Sequence, residues 1–378
     1  MKTLSRTMAC VLLCALLLCA PAQATDAPAV SAGAAAVMHV ETGTVVFEKN
    51  ADTQMLIAST TKIMTALVVL EQCDLGEQVE ILPEYTAVEG SSMYLRAGET
   101  YTVEELLYGM MLASGNDAAT ALACYTAGSI EAFAQLMNDK AAELGLEHTS
   151  FRNPHGLDAD GHCSTARDLA TLACCAMQNE EFRTIVSTNS ITIGTQTYTN
   201  HNRLLRTYPG ALGVKTGYTE AAGRILVSCA QRDGTQFVCV TISDPNDWDD
   251  HTRLLDWAFS EYEYREVAGA ETAYALPVLS GTDELCTAVP ESTVSLFLKK
   301  DTPVEVRVNL PRYVFAPVVR GDAAGSLTVT TPDGTTEVPL VYSADISLDS
   351  GIRLTLRERL SRVCGLAGHY LFAYYPKN

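Results

Sequence analysis

The sequence predicts an α+β catalytic domain, an antiparallel sheet with helices, followed by a small all-β domain. Strand patterns stand near Ala34 and again near Ile242, with helical patterns between them, so the sheet draws its strands from distant sequence. Beyond Tyr264 the chain changes to short strand-like runs punctuated by proline and glycine. Apolar residues make up 47% of 378, ample material for globular cores.

Residues 34–40 and 44–48 read as a hairpin across Glu41-Thr42-Gly43. Ile63, Leu67 and Leu70 recur at helical spacing within 60–70. Two apolar helical stretches, 103–112 and 117–125, are interrupted by Ser114-Gly115-Asn116. Helices follow at 130–144, ended by Gly145, and at 165–178, with Asp168 in the first turn. The period then shortens. Residues 212–217 read as a strand, 224–230 and 236–242 as strands joined across Asp233-Gly234, and 249–260 as helix. The strand runs of the β domain are 294–298, 304–308, 326–330 and 335–338.

Both termini differ from the body. Lys2 and Arg6 precede an apolar run over 8–20, and Ala22-Gln23-Ala24 offers a small-x-small cleavage site, the pattern of a signal peptide. The run is short for a membrane span, and Leu18 is too large for the residue before a lipidated Cys19. At the other end Ile352, Leu356, Leu360 and Val363 fall on one helical face among Arg353, Arg357, Arg359 and Arg362. That stretch predicts an amphipathic helix on an anionic membrane surface, the alternative being a helix packed on the β domain. The expected organisation is signal peptide 1–24, catalytic domain 25–262, β domain 263–350 and membrane-associating helix 351–378. Export to the outer face of the cytoplasmic membrane, in the cell-wall space, follows.

The formal charge is −19, and loss of Lys2 and Arg6 with the leader leaves −21. That balance excludes nucleic acid as an expected partner, because counterion-release binding needs clustered cations. Nine of the twelve cysteines lie beyond Ala24, with no Cys-x-x-Cys. Most sit in apolar stretches as small buried hydrophobes, and the odd number implies at least one free thiol. No metal and no cofactor is called for, since none of the seven histidines falls in a zinc pattern. His155 and His162, flanking 156–161, read as loop residues.

Chemistry rests on three short motifs in order: Ser59-Thr60-Thr61-Lys62, Ser114-Gly115-Asn116 and Lys215-Thr216-Gly217. The ordered set is the signature of penicillin-binding proteins and class A β-lactamases. Each motif alone is weak, and Ser187-Thr188-Asn189 is a decoy for the second. Context favours Ser114, which interrupts an apolar helical stretch. Ser59 and Lys62, three apart at a helix start, share one face. A serine hydroxyl needs a base, and a lysine serves as one only when burial or a neighbouring cation lowers its pKa. Lys215 would supply that cation. The helix N-terminus directs N–H groups toward a developing anion.

With these motifs the chain resembles the low-molecular-mass penicillin-binding proteins, the D-alanyl-D-alanine carboxypeptidase family. The likeness extends to the whole 58–65 segment, to Asn153-Pro154-His155-Gly156-Leu157, to 164–170, to Asn202-Arg203-Leu204-Leu205 and to 246–251. It implies a penicillin-binding/β-lactamase-like fold and removal of the terminal D-alanine from peptidoglycan stem pentapeptides, with β-lactams as covalent inhibitors. It also implies roles. Ser59 would be the acylated nucleophile and Lys62 its base. Ser114 would relay a proton to the leaving group, Asn116 hold the peptide amide and Lys215 steady the charge. Thr216, Gly217 and Tyr218 would bind substrate, Thr216 at the terminal carboxylate, with N–H groups of Ser59 and Tyr218 as oxyanion hole. Some members carry arginines for that carboxylate where this chain has His201 and the Asp-rich 246–250 run; Arg203, Arg224 and Arg253 are nearby substitutes. Three other readings share the motifs: a β-lactamase, disfavoured by the lack of Glu-x-x-Leu-Asn between Asn116 and Lys215; a transpeptidase or endopeptidase; and an inactive peptidoglycan-binding module, disfavoured because Ser59, Lys62 and Lys215 are all present.

Overall fold

The computed structural model describes residues 27–269 and 271–349. The expected leader (1–24) and terminal helix (351–378) lie outside the described residues. The chain divides into two compact units, one ending at Glu261 and the other beginning at Tyr262.

The first unit is built on a five-stranded antiparallel sheet. Its strands are β1 (Ala34–His39), β2 (Val45–Lys49), β3 (Ala211–Thr219), β4 (Gly223–Arg232) and β5 (Thr235–Ile242), in spatial order β2-β1-β5-β4-β3. The N-terminal hairpin thus pairs with the last one, Ala36 opposite Val240. Every residue of β1 is buried, which explains its unbroken Ala-Ala-Ala-Val-Met run. Between β4 and β5, Arg232 faces Thr235, and Asp233 and Gly234 both take positive φ (47° and 82°). This is the two-residue turn whose twist matches the strands.

The helices are α1 (Lys62–Gln72), α2 (Val103–Leu112), α3 (Asn116–Ala127), α4 (Ile130–Glu143), α5 (Ala166–Gln178), α6 (Glu180–Ser187) and α7 (Asp247–Glu261), besides a single turn at Leu204–Thr207. α5 packs on β1 and β5, and α7 packs on β4 and β5. α1 is buried from Lys62 to Val69 and touches each of α2 to α6. A helix buried on all sides has no polar stripe, so its periodicity is faint in the sequence. Four of its five neighbours start on local side-chain caps. Thr102 and Glu105 form a capping box on α2, and Ser129, Thr165 and Asn179 cap α4, α5 and α6. α6 and two short strand pairings, Gln78–Glu80 with Thr100–Thr102 and Ser190–Ile193 with Gln196–Thr199, are additions to the sequence expectation. Elements this short carry too few repeats to reveal a period.

The second unit is all β among its described residues. A six-stranded sheet runs Glu305–Asn309, Ala323–Thr331, Gly334–Tyr342, Leu285–Pro290, Tyr274–Leu279, Val314–Phe315, its last pairing parallel. A second, two-stranded sheet pairs Tyr262–Ala268 with Val294–Lys299. Leu276, Ala288, Leu327 and Leu340 are fully buried at its core. The four expected runs are strands; the other four are extra, three of them containing a proline or glycine boundary or only two residues. No described helix is long and apolar enough to cross a membrane.

One loop fixes the start of α1. Asn153 Oδ1 accepts from Gly156 N (2.7 Å), and Thr65 Oγ1 donates to Pro154 O (2.6 Å). Gly156 takes φ +88°, and a Cβ there would lie 1.9 Å from Ala58 O, immediately before Ser59. Both the conformation and the space require glycine. Gly156→Ala is expected to destabilise the protein by about 3 kcal/mol, read as a lower urea midpoint. An unchanged midpoint would show that this loop is not clamped to the helix start.

Candidate active site

The turn that begins α1 presents the first motif. Residues Ala58–Thr61 form a 3-10 turn before the α-helix proper, and Ala58 takes φ +43°. Ser59 is therefore lifted out while Thr60 and Thr61 are buried. One turn on, Lys62 is fully buried, its Nζ 3.1 Å from Ser59 Oγ, 2.7 Å from Asn116 Oδ1 and 2.7 Å from His155 O. Burial pushes this amine well below the ordinary lysine range; the Lys215 charge pushes the same way and Asp117 opposes both. A neutral amine has two N–H groups and one lone pair. Nζ donates to Ser59 Oγ and to the two carbonyl oxygens; loss of the proton on the Ser59 side leaves a lone pair aimed at that hydroxyl.

The second and third motifs face this pair. Ser114 lies between α2 and α3 with φ +61°, and Lys215 is the fifth residue of β3. Lys215 Nζ donates to Ser114 Oγ (3.0 Å) and Thr216 O (3.0 Å). Burial lowers its pKa to about 7, and its charge adds to the burial that depresses Lys62. β3 runs beside the 3-10 turn: a Cβ on Gly217 would lie 3.3 Å from both Ser59 N and Ile57 O. Asn116 serves Lys62 with Oδ1 and donates through Nδ2 to Glu89 O (2.6 Å), so one of its N–H groups is already committed within the protein.

Ser59, Ser114, Thr216, Gly217 and Tyr218 line one cavity of about 310 Å³; Lys62, Asn116 and Lys215 are buried and do not line it, Lys62 and Lys215 being bonded to its two serines. The cavity also brings in Ser91, His201, Arg224, Ile225, Asp247 and Trp248. Of the three arginines weighed from sequence, only Arg224 reaches it; Arg253 pairs with Asp250, and Arg203 precedes the Leu204–Thr207 turn. His155 and His162 are buried structural residues. Arg152 N donates to His162 Nδ1, so Nε2 carries the proton that Thr61 Oγ1 accepts (2.8 Å). Burial holds the two rings at pKa values of about 3 and about 4, neutral at pH 7. The decoy serine, Ser187, ends α6 and lines no part of the cavity. Among the described residues no cluster of His, Cys, Asp and Glu is arranged to hold a metal ion.

Asp117 was not singled out from sequence. It accepts from Ser92 Oγ (2.6 Å), Met93 N (2.8 Å), Leu95 N (3.1 Å) and its neighbour Ala118 N, pinning the strip that contributes Ser91 to the cavity. Its signal was an acid in the first turn of an apolar helix, where a carboxylate caps N–H groups.

A serine beside a buried amine of lowered pKa, faced by a serine beside a second lysine, is the arrangement of a serine hydrolase working through an acyl-enzyme. The family profile described as D-alanyl-D-alanine carboxypeptidase matches residues 21–246, and the chain belongs to that family. It is 34% identical over 315 residues to D-alanyl-D-alanine carboxypeptidase DacF of Bacillus subtilis, covering 79% of this chain and 81% of that one. Among solved structures, D-alanyl-D-alanine carboxypeptidase DacD of Francisella tularensis superposes with a TM-score of 0.65 at 27% identity, covering 85% and 95% of the two chains. The Streptomyces K15 DD-transpeptidase gives 0.60 at 36% identity, covering 62% of this chain and 100% of that one.

The pH profile tests the division of labour. Acylation should rise as Lys62 loses its proton and fall as Lys215 loses its own near about 7, giving a bell-shaped kcat/KM. Lys215→Arg, which stays charged, should lower the rate but remove the alkaline limb. Persistence of that limb in the arginine variant would assign it to another group.

Proposed function

We propose that this chain removes the terminal D-alanine from peptidoglycan stem pentapeptides through an acyl-enzyme on Ser59, and that penicillins acylate the same oxygen. Family membership makes it a D-Ala-D-Ala carboxypeptidase, a serine-type hydrolase of the cell wall. The observation that carries the residue assignment is the Lys62 amine, buried and 3.1 Å from Ser59 Oγ with its two N–H groups accounted for.

In the proposed reaction Lys62 Nζ takes the Ser59 proton as Oγ attacks the carbonyl carbon of the penultimate D-alanine. N–H groups of Ser59 and Tyr218 hold the oxyanion. The C–N bond then breaks, and Ser114 passes its hydroxyl proton to the departing amine of the last D-alanine. Lys215, donating to Ser114 Oγ, stabilises that oxygen while the proton is away. The proton that Lys62 took from Ser59 then passes to Ser114 Oγ, so that Lys62 is neutral again; Lys62 next deprotonates water as it attacks the ester carbon, and that proton returns to Ser59 Oγ as the ester C–O bond breaks. Asn116 holds Lys62 through Oδ1 and retains one N–H for the substrate's amide oxygen.

The likeness to a DD-transpeptidase supports a second reading in which an amine replaces water at the ester. Release of D-alanine from a pentapeptide ending in D-Ala-D-Ala, without an added amine, separates the two. The purified protein is expected to release it and to carry labelled penicillin on Ser59. Ser59→Ala should abolish both; label retained by that variant would overturn the assignment. Substituting Lys62 by alanine should slow acylation by about 10²–10⁴-fold.

We further propose that the protein is exported and that the arginine-rich residues 351–378 bind an anionic membrane surface. Signal-cleaved protein should sediment with vesicles containing phosphatidylglycerol, and a chain ending at Ser350 should stay in solution. Equal sedimentation would remove the anchoring role.

A further inference from the structure

In a chain of formal charge −19, residues 306–321 of the second unit carry three arginines, Arg307, Arg312 and Arg320, and no acid. Within that run the side chains alternate. Val314, Ala316 and Val318 turn toward the β core, while Tyr313, Phe315, Pro317 and Val319 turn to water. Phe315 is 64% exposed, Val319 50% and Tyr313 47%, and the rings of Tyr313 and Phe315 meet edge to face at 5.6 Å. The Val314–Phe315 strand is the outer strand of its sheet.

Leu348, 54% exposed, belongs with this strip. Val318 forms a bridge with Ile346, two residues before Leu348, and Leu348 itself forms one with Gly281, just beyond the Tyr274–Leu279 strand that pairs with Val314–Phe315. An apolar strip with two outward aromatic rings is unusual on a surface that only meets water. Among the described residues neither the Arg312 nor the Arg320 guanidinium is paired with a carboxylate. Asp345 accepts from Arg320 N (2.7 Å), and Asp322 and Asp349 adjoin the strip in sequence, so these three temper its charge without entering the run.

Charge selects what covers the strip. The chain's own residues 351–378 bring Arg353, Arg357, Arg359 and Arg362, and a second copy paired about a two-fold axis brings the same strip again. Either sets arginine against arginine. An anionic bilayer does the reverse: its interface takes aromatic rings at headgroup depth and arginines that reach phosphate. Position agrees, because Leu348 stands three residues before the arginine-rich segment begins at 351. A chain tethered through one segment can still rotate on its tether, whereas a second contact beside the first fixes its orientation.

We propose that Tyr313, Phe315, Val319 and Leu348 form a second membrane contact, which enters the interface of an anionic bilayer and seats the β unit against it. This rests on the anchoring reading above and goes beyond it: the terminal segment tethers the chain, and the strip orients the unit that carries the tether.

The test uses signal-cleaved full-length protein with phosphatidylcholine vesicles, made with or without phosphatidylglycerol. Phe315→Trp is the reporter. Its emission, after subtraction of the native protein's two tryptophans, should shift to the blue on phosphatidylglycerol vesicles and be quenched by lipids brominated on their acyl chains. Tyr313→Ser combined with Phe315→Ser should weaken vesicle binding about tenfold, and Arg312→Gln combined with Arg320→Gln about 5–30-fold. An unchanged urea midpoint shows these variants folded, and the Phe315→Trp spectrum decides alone where one is not. Equal binding by native protein and both double variants, with no spectral change in Phe315→Trp, overturns the strip and leaves anchoring by 351–378 standing. Failure of the native protein to bind at all overturns both. Emission already blue before vesicles are added overturns the proposal too, in favour of cover by 351–378 where it is independent of protein concentration and of a second copy where it is not. An equal shift on phosphatidylcholine alone overturns the anionic bilayer as the partner.

Discussion

A lysine amine, fully buried beside a serine hydroxyl, is the constraint on which the rest of the catalytic unit turns. An ammonium ion stripped of water costs several kcal/mol even after the surroundings relax, so burial pushes a lysine in that position toward giving up its proton. The surroundings then decide what the neutral amine is good for. With no acceptors its lone pair would wander. Here Asn116 Oδ1 and His155 O, both at 2.7 Å, fix two N–H vectors and thereby aim the third direction at Ser59. In the proposed mechanism the base is made by burial and oriented by two carbonyls.

Those two carbonyls come from different parts of the chain, and each is locked by a separate device. His155 O is delivered by an asparagine turn, in which Asn153 Oδ1 accepts from His155 N (3.3 Å) and Gly156 N (2.7 Å). Asn116 is held by Glu89 O and by its place at the first residue of α3. Two non-glycine residues with positive φ, Ala58 and Ser114, adjoin or carry the reacting hydroxyls. Such conformations cost of order 1–3 kcal/mol each and survive only where packing over-determines them. Both sit in a core of fully buried residues, among them Ile57, Ile63, Leu112 and Ala118. Fold and site are therefore one problem: the apolar core holds the strained turns that the chemistry needs.

How much of this was legible in the sequence depends on range. The hairpins, most helices and the motif residues could be read because their signals are local: apolar period, Asp233-Gly234, a threonine cap, a serine three before a lysine. The β domain gave up only its longer runs, since strands such as Val314–Phe315 hold too few residues to show alternation. The stretch Asn153 to Leu157 could be recognised but not explained, because its contribution is a backbone carbonyl and a glycine conformation, which no side-chain chemistry announces. Asp117 and Asp247 were beyond reach for another reason, and Arg224 could be named only as one of three arginines. Their roles arise from partners in other elements: Met93 and Leu95 for Asp117, and α7 meeting β4 for the Arg224–Asp247 pair. Only the folded chain brings those positions together.

The middle residue of the second motif shows how such partners also shape what the sequence must be. The motif reads Ser-Gly-Asn, and nothing about the φ of −57° at Gly115 demands glycine. Space does. A Cβ at Gly115 would lie 2.9 Å from Asp117 Oδ1 and 3.1 Å from Met93 N, inside the hydrogen bond that those two atoms form. An acidic side chain at 115 would add a like charge beside a carboxylate that is already buried. In this chain the acid of the motif region stands at 117, where it ties the Ser91 strip to α3 and pulls the Lys62 amine toward its charged form. Burial and Lys215 outweigh that pull. The state of the Lys62 amine is thus a balance of burial and two charged neighbours, Lys215 and Asp117, and the glycine is what leaves room for the one that opposes the shift.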